Sequence, residues 1–178
     1  MAVEWDTLDG PITGVYVPRR DTSSRLAAMA GGRVFPGWQH LVRFAVDEHD
    51  GGYLVEVASL DGTVRVVVSA HVAPEVMAGS VFADVDEASR FLRCAPVGYA
   101  ATRSEGAFDG VELGTDGWGL CPLHIDVASS SFFDDPARFP PGTATLDSAF
   151  LMAGLTTTWH PQPTLHATTV AGRTRVSR

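Results

Sequence analysis

Lysine is missing from all 178 residues, and every one of the 13 basic side chains is arginine. Arginine keeps its charge near neutral pH, so no side-chain amine can attack a carbonyl substrate as a Schiff-base nucleophile. Cysteine is nearly missing too. Cys94 and Cys121 form no CxxC pair, which argues against a metal framework or a redox motif. The histidines are His40, His49, His71, His124, His160 and His166, and none forms HxH, HxxxH or HExxH. Neither a bound metal nor a cofactor is expected.

Other signatures are lacking. There is no GxSxG around a serine, no Walker loop and no dinucleotide fingerprint. Gly31-Gly32 follows an expected helix instead of opening one, so it offers no helix N-terminus to a phosphate. No apolar run approaches the ~18–20 residues needed to span a membrane. Met1 to Gly10 is acidic and carries no basic segment ahead of an apolar run, so a signal peptide is not expected. A cytoplasmic protein with reduced thiols and no membrane partner is the expectation. Positive excess is lacking as well. The formal charge of −8 repels phosphate backbones and makes nucleic acid a poor partner.

What remains is an ordinary globular composition, 45% hydrophobic and 19% charged. The length suits one domain over residues 1–178, with a core over about 10–160 and a fraying polar tail over 161–178. Gly14 to Pro18 reads as a short strand. Asp21 is an N-cap candidate for a helix over Thr22 to Ala30, ended by Gly31-Gly32. Phe35-Pro36-Gly37 turns the chain.

The strongest signal runs from Trp38 to Val72. Three Val-, Phe- and Tyr-rich runs are separated by Asp50-Gly51-Gly52 and by Asp61-Gly62, which predicts an antiparallel meander. A two-residue loop at Asp61-Gly62 pairs Val57 with Val66, Val55 with Val68 and Tyr53 with Ala70. A first loop of four or five residues adds Phe44 and Val46 to that side, which becomes the core face. The other side carries Arg43, Asp47, Glu56, Arg65, Ser69 and His71. These groups either form an ion-pair ladder in water or line a cavity.

Asp84 followed by Glu87 resembles a capping box, and Val85, Ala88, Phe91 and Leu92 keep helical spacing. A helix is expected over Asp84 to Cys94, stopped by Pro96. Further strands are expected at Val97–Thr102, Gly110–Thr115, Trp118–Val127, Thr143–Leu151 and Thr156–His160. Ser129 to Gly142 is a long loop whose Phe132, Phe133 and Phe139 need burial, so it should pack as an ordered cover. The fold class read from these residues is α+β, mainly β.

Several of these stretches resemble a known group. PVGYAATR (Pro96–Arg103), FDGVEL (Phe108–Leu113), Trp118, SSFFDDPARFPPGT (Ser130–Thr143) and Gly10–Gly37 are similar to a bacterial family of the acetoacetate decarboxylase-like superfamily. That resemblance implies a β-barrel or cone with one or two flanking helices and a central cavity. The superfamily's named enzyme uses paired lysines, and this chain has none. The cavity carries over, and the Schiff-base reaction does not.

Candidate chemistry is therefore sparse. Arg19 and Arg20 follow a strand and can clamp a carboxylate bidentately, the alternative being a solvated turn. Arg43 and Arg65 are further counter-charges, and Tyr99 and Trp118 are candidate cavity walls or core residues. Glu56 and Glu112 are the candidate acid–base groups. The preferred expectation is a module binding a small, partly apolar carboxylate or carbonyl ligand. A lysine-free lyase, isomerase or hydrolase using Glu56 or Glu112 is the second reading. A structural or interaction protein with a filled barrel is the third. Exposed sheet edges also admit a homodimer.

Overall fold

The computed structural model describes residues 2–30 and 37–167. The alternating runs form strands β1 (Ala2–Thr7), β2 (Gly10–Tyr16), β3 (Arg20–Thr22), β4 (Gln39–His49), β5 (Gly52–Ser59) and β6 (Arg65–Val72). They continue as β7 (Val97–Ala101), β8 (Ala107–Asp116), β9 (Cys121–Ser130), β10 (Ala149–Leu151) and β11 (Thr156–His166). The helices are α1 (Arg25–Ala30) and α2 (Val85–Arg93). Strand makes up 52% and helix 9% of the described structure, which is mainly β. Among the described residues, no helix is long and apolar enough to cross a membrane.

The strands divide into a five-stranded sheet, β1-β2-β7-β8-β11, and a six-stranded sheet, β10-β9-β6-β5-β4-β3. One sheet curls into a half-barrel. Both sheets keep free edges, so the described residues do not close into one cylinder. Most pairings are antiparallel. The exceptions are β2–β7 and β3–β4, which are parallel.

The meander has the expected register, with Tyr53 opposite Ala70, Val55 opposite Val68 and Val57 opposite Val66. Its second turn is tied by Asp61, whose Oδ1 accepts from the Thr63 amide at 3.0 Å and the Thr63 hydroxyl at 2.7 Å. The first turn is tighter than expected. His49 pairs with Gly52, and Asp50 (φ 50°) and Gly51 (φ 77°) both take left-handed conformations. Two positive angles match the right-handed strand twist, which explains why Asp-Gly suffices there. Phe44 and Val46 do share a face with Val57 and Val55. They are not core residues, however, being 48% and 56% exposed. Burial on that face concentrates instead at Val42, Val64 and Ala70.

The five-stranded sheet has its own aromatic cluster. Trp5 stands edge-on to Tyr99 at 5.1 Å and near Phe108 at 5.6 Å, and Tyr16 meets Phe108 at 6.1 Å. Tyr99 fits because Gly14 and Gly110 lie beside it. A Cβ at Gly110 would stand 2.8 Å from the Tyr99 ring, and one at Gly14 3.1 Å. Trp5 belongs to β1, a strand the sequence reading did not draw, although Val3, Trp5 and Thr7 alternate with exposed Glu4 and Asp6.

Other boundaries moved for local reasons. Helix α1 starts three residues late because Thr22 joins β3 against Leu41. Ser24, not Asp21, caps it, accepting from the Ala27 amide at 3.2 Å. Gly31 to Pro36 lies outside the described residues, and with it the expected glycine stop and most of the Phe35-Pro36-Gly37 turn. Helix α2 matches expectation. Asp84 accepts from the Glu87 amide at 2.7 Å, while the Glu87 carboxylate reaches back to the Ala83 amide. Only Ala149–Leu151 of the expected Thr143–Leu151 strand is paired. The expected frayed tail is strand as far as His166, because β11 pairs with β8 and buries Leu165. Residues 168–178 lie outside the described set.

The Ser129–Gly142 segment does order its aromatics. Phe132, Phe133 and Phe139 lie 5.2–5.8 Å apart, with the Arg138 guanidinium 4.7 Å over Phe132. They pack chiefly on one another, and Phe133 stays half exposed.

Candidate functional site

Where the chain passes from β2 to β3 it leaves the first sheet and joins the second. Val17 still bonds to the first sheet, its amide donating to the Tyr99 carbonyl at 2.8 Å. Arg20 already pairs with Gln39 in the second. The seam encloses a cavity of about 110 Å³. Its walls include Val17 and Arg19 from the crossing, Arg20 from β3, Trp38 just before β4, His40 from β4, and Ala100 from β7. Gly37 allows the walls to approach. It adopts φ +80°, and a Cβ there would stand 2.6 Å from the Ala100 methyl.

The two arginines are only partly satisfied. Arg19 donates from Nε to Asp21 Oδ1 at 2.8 Å and from Nη1 to Thr63 Oγ1 at 3.4 Å. Its side chain is 10% exposed. Yet Arg19 Nη2 and Arg20 Nε are buried with no hydrogen-bond partner among the described residues. Burial lowers the Arg20 pKa below its ordinary value, because the charged form has lost hydration. Unpaired buried donors carry a desolvation cost that an anion would offset.

Arg19 and Arg20 line one cavity, and the other candidates lie elsewhere. Arg43 borders a wider depression of about 450 Å³ with Ser23, Arg25, Leu41, Phe44 and Leu60. Arg65 and Glu56 form an ion pair at 3.7 Å with side chains 73% and 45% exposed, which is the wet ladder and not a cavity lining. The Glu112 carboxylate accepts from Gln162 Nε2 at 2.7 Å on the β8–β11 pair. Tyr99 is a core residue of the first sheet. Trp118 anchors α2: its Nε1 donates to Ser89 Oγ at 2.7 Å, and Arg93 lies over the ring at 5.6 Å.

The histidines scatter. His71 Nδ1 lies 3.2 Å from Asp126 Oδ2, and its ring is 4.9 Å from that of His124. His40 is at the seam. Among the described residues, no three His, Cys, Asp or Glu side chains are placed to hold a metal ion. Trp38 and His40 are the site residues that sequence reasoning missed. Their only signal was position, directly after a turn and at the head of a long strand. Neither a protein-family model, nor a curated protein, nor a solved structure matches the chain.

Proposed function

We propose that this protein binds a small carboxylate at the seam between its sheets, with Arg19 and Arg20 as the counter-charges. The observation that carries this reading is the pair of buried guanidinium nitrogens with no partner among the described residues, in side chains lining one cavity. A carboxylate accepts planar N–H donors bidentately, and it would meet groups already stripped of water. The cavity is smaller than the ~300–1,000 Å³ of sites for larger ligands, so it suits the acid head group. An apolar substituent would lie toward Trp38, which is exposed. Arginine supplies charge and geometry and no amine, so the reading is binding without covalent capture. The Gly10–Gly37 segment, similar to the acetoacetate decarboxylase-like family, contains both arginines, which fits a retained cavity with altered chemistry.

Titration calorimetry with acetate, using acetamide as the neutral match, tests the reading. Acetate should bind and acetamide should not. Arg19→Met and Arg20→Met should each weaken acetate by about tenfold or more, the scale of a lost charged hydrogen bond. Equal affinity for acetamide, or wild-type affinity in both variants, would refute it. Phosphate and sulfate arms separate a carboxylate site from a general oxyanion site.

A further inference from the structure

The free edges of the two sheets are not alike. Strand β11 carries Pro161 and Pro163 on its outer edge, and proline cannot donate to an incoming strand. Strand β1 exposes Glu4 and Asp6, and β10 is three residues long. Strand β4 differs from all three. Among the described residues, β3 covers Gln39–Leu41 alone, so Val42 to His49 has a partner strand on one side only, with Ser23 and Arg25 bordering a depression beside Val42 to Phe44. That stretch has no proline and exposes Phe44 and Val46. Short, proline-bearing or single-sign edges resist pairing, whereas this one is long, free of proline and carries charges of both signs in Arg43, Asp47 and Glu48.

The hydrogen-bond phase of β4 can be read from its neighbour. The Leu60 amide donates to the Leu41 carbonyl at 2.9 Å, which makes Leu41 opposite Leu60 a bonded pair. Bonded and non-bonded pairs alternate along an antiparallel ladder. Arg43, Ala45 and Asp47 therefore turn their backbone groups to β5. Phe44, Val46 and Glu48 turn theirs outward. A second copy related by a two-fold axis through the sheet must pair residues of one parity, so each face continues into the same face of the partner.

We propose that the protein forms a homodimer by antiparallel pairing of β4 with β4 of a second copy, centred on Ala45. In this register Phe44 of one protomer faces Val46 of the other as a bonded pair. Arg43 faces Asp47 as a non-bonded pair, where side chains approach most closely. Both matches occur twice by symmetry. Moving the centre to Val46 sets Phe44 against Glu48 and Arg43 against His49. Moving it to Phe44 sets Asp47 against Leu41. Of these three centres, the Ala45 one alone sets Arg43 against Asp47, and it sets Glu48 against Val42 beyond them.

Sedimentation equilibrium over a range of concentrations tests the proposal. The expected mass is twice 18.9 kDa. Val46→Pro removes an outward amide and none facing β5, so it should yield a monomer with an unchanged circular dichroism spectrum. Arg43→Asp places two carboxylates opposite each other and should weaken association by at least about tenfold. Adding Asp47→Arg should restore it. A monomer at all concentrations overturns the proposal, as does a dimer indifferent to Val46→Pro. A dimer that Arg43→Asp leaves intact overturns the register. Should Val46→Pro fail to fold, the Arg43/Asp47 exchange decides alone, since both side chains are exposed.

Discussion

A buried donor without a partner is a stability defect unless something uses it, and Arg20 Nε has that character among the described residues. Burial also disfavours the charged form of Arg20. Methionine matches its apolar stem and brings no donor. Arg20→Met should therefore raise the ligand-free stability, by about 1 kcal/mol on the scale of an unsatisfied buried donor. The same variant should lose acetate binding. Urea unfolding without ligand measures the first effect. A variant less stable than wild type would mean that Arg20 has structural partners and that the seam is ordinary packing. Arg19 contrasts with it, because Asp21 and Thr63 hold two of its nitrogens. Arg19→Met should cost stability as well as affinity. The pair Arg19-Arg20 was legible in the sequence as two guanidiniums after a strand. Their unequal satisfaction was not, since it depends on Thr63, which lies in a distant hairpin turn.

At the level of elements, two turns share one electrostatic device. Hydrogen bonds from Ser59 and Thr63 hold the Asp61 carboxyl well below the usual carboxylate range. Ser80, Ser148 and the Val81 amide do the same for Asp147, tying the segment before α2 to the segment before β10. A carboxyl with a depressed folded pKa contributes stability that is fully present above the unfolded value of about 4. That contribution is lost as pH falls through the depressed value. Denaturant midpoints should therefore drop more steeply between about pH 4 and pH 2 in the wild type than in the Asp61→Asn/Asp147→Asn variant. Parallel acid limbs would show that neither bond set survives in solution. The Asp61 turn and the β5–β6 register were readable because Asp-Gly between alternating runs leaves one compatible pairing. The end of β11 was not, because Pro161 and Pro163 mimic a chain leaving the sheet. They are tolerated there since β11 bonds to β8 on one side only. Similarly, Thr143 to Ser148 has strand-forming side chains, but Asp147 is engaged by Ser80 and Val81 instead of a ladder.

For the whole molecule, the decisive feature is that one short crossing joins two sheets. Local patterning predicts hairpins, and it predicted the β4–β5–β6 meander, though not the β1–β2 pair. It does not reveal the parallel β2–β7 and β3–β4 pairings, which bring residues near 16 and 99, and near 21 and 40, side by side. The cavity exists only because of those two distant pairings, so its volume and the roles of Trp38, His40 and Ala100 could not be read in advance. The same arrangement gives the proposed ligand a mechanical consequence. Val17 bonds to the first sheet, Arg20 sits in the second, and Arg19 reaches the β5–β6 turn through Thr63. An anion held by both arginines would tie these regions together and raise the free energy of opening the seam. Hydrogen exchange with and without saturating acetate should therefore show slower exchange in three separate stretches together: 17–22, 38–41 and 99–102. Slowing confined to 17–22 would mean that the ligand orders a single turn and leaves the sheets uncoupled. No slowing at all, in a sample where calorimetry shows acetate bound, would place the acid somewhere other than the seam.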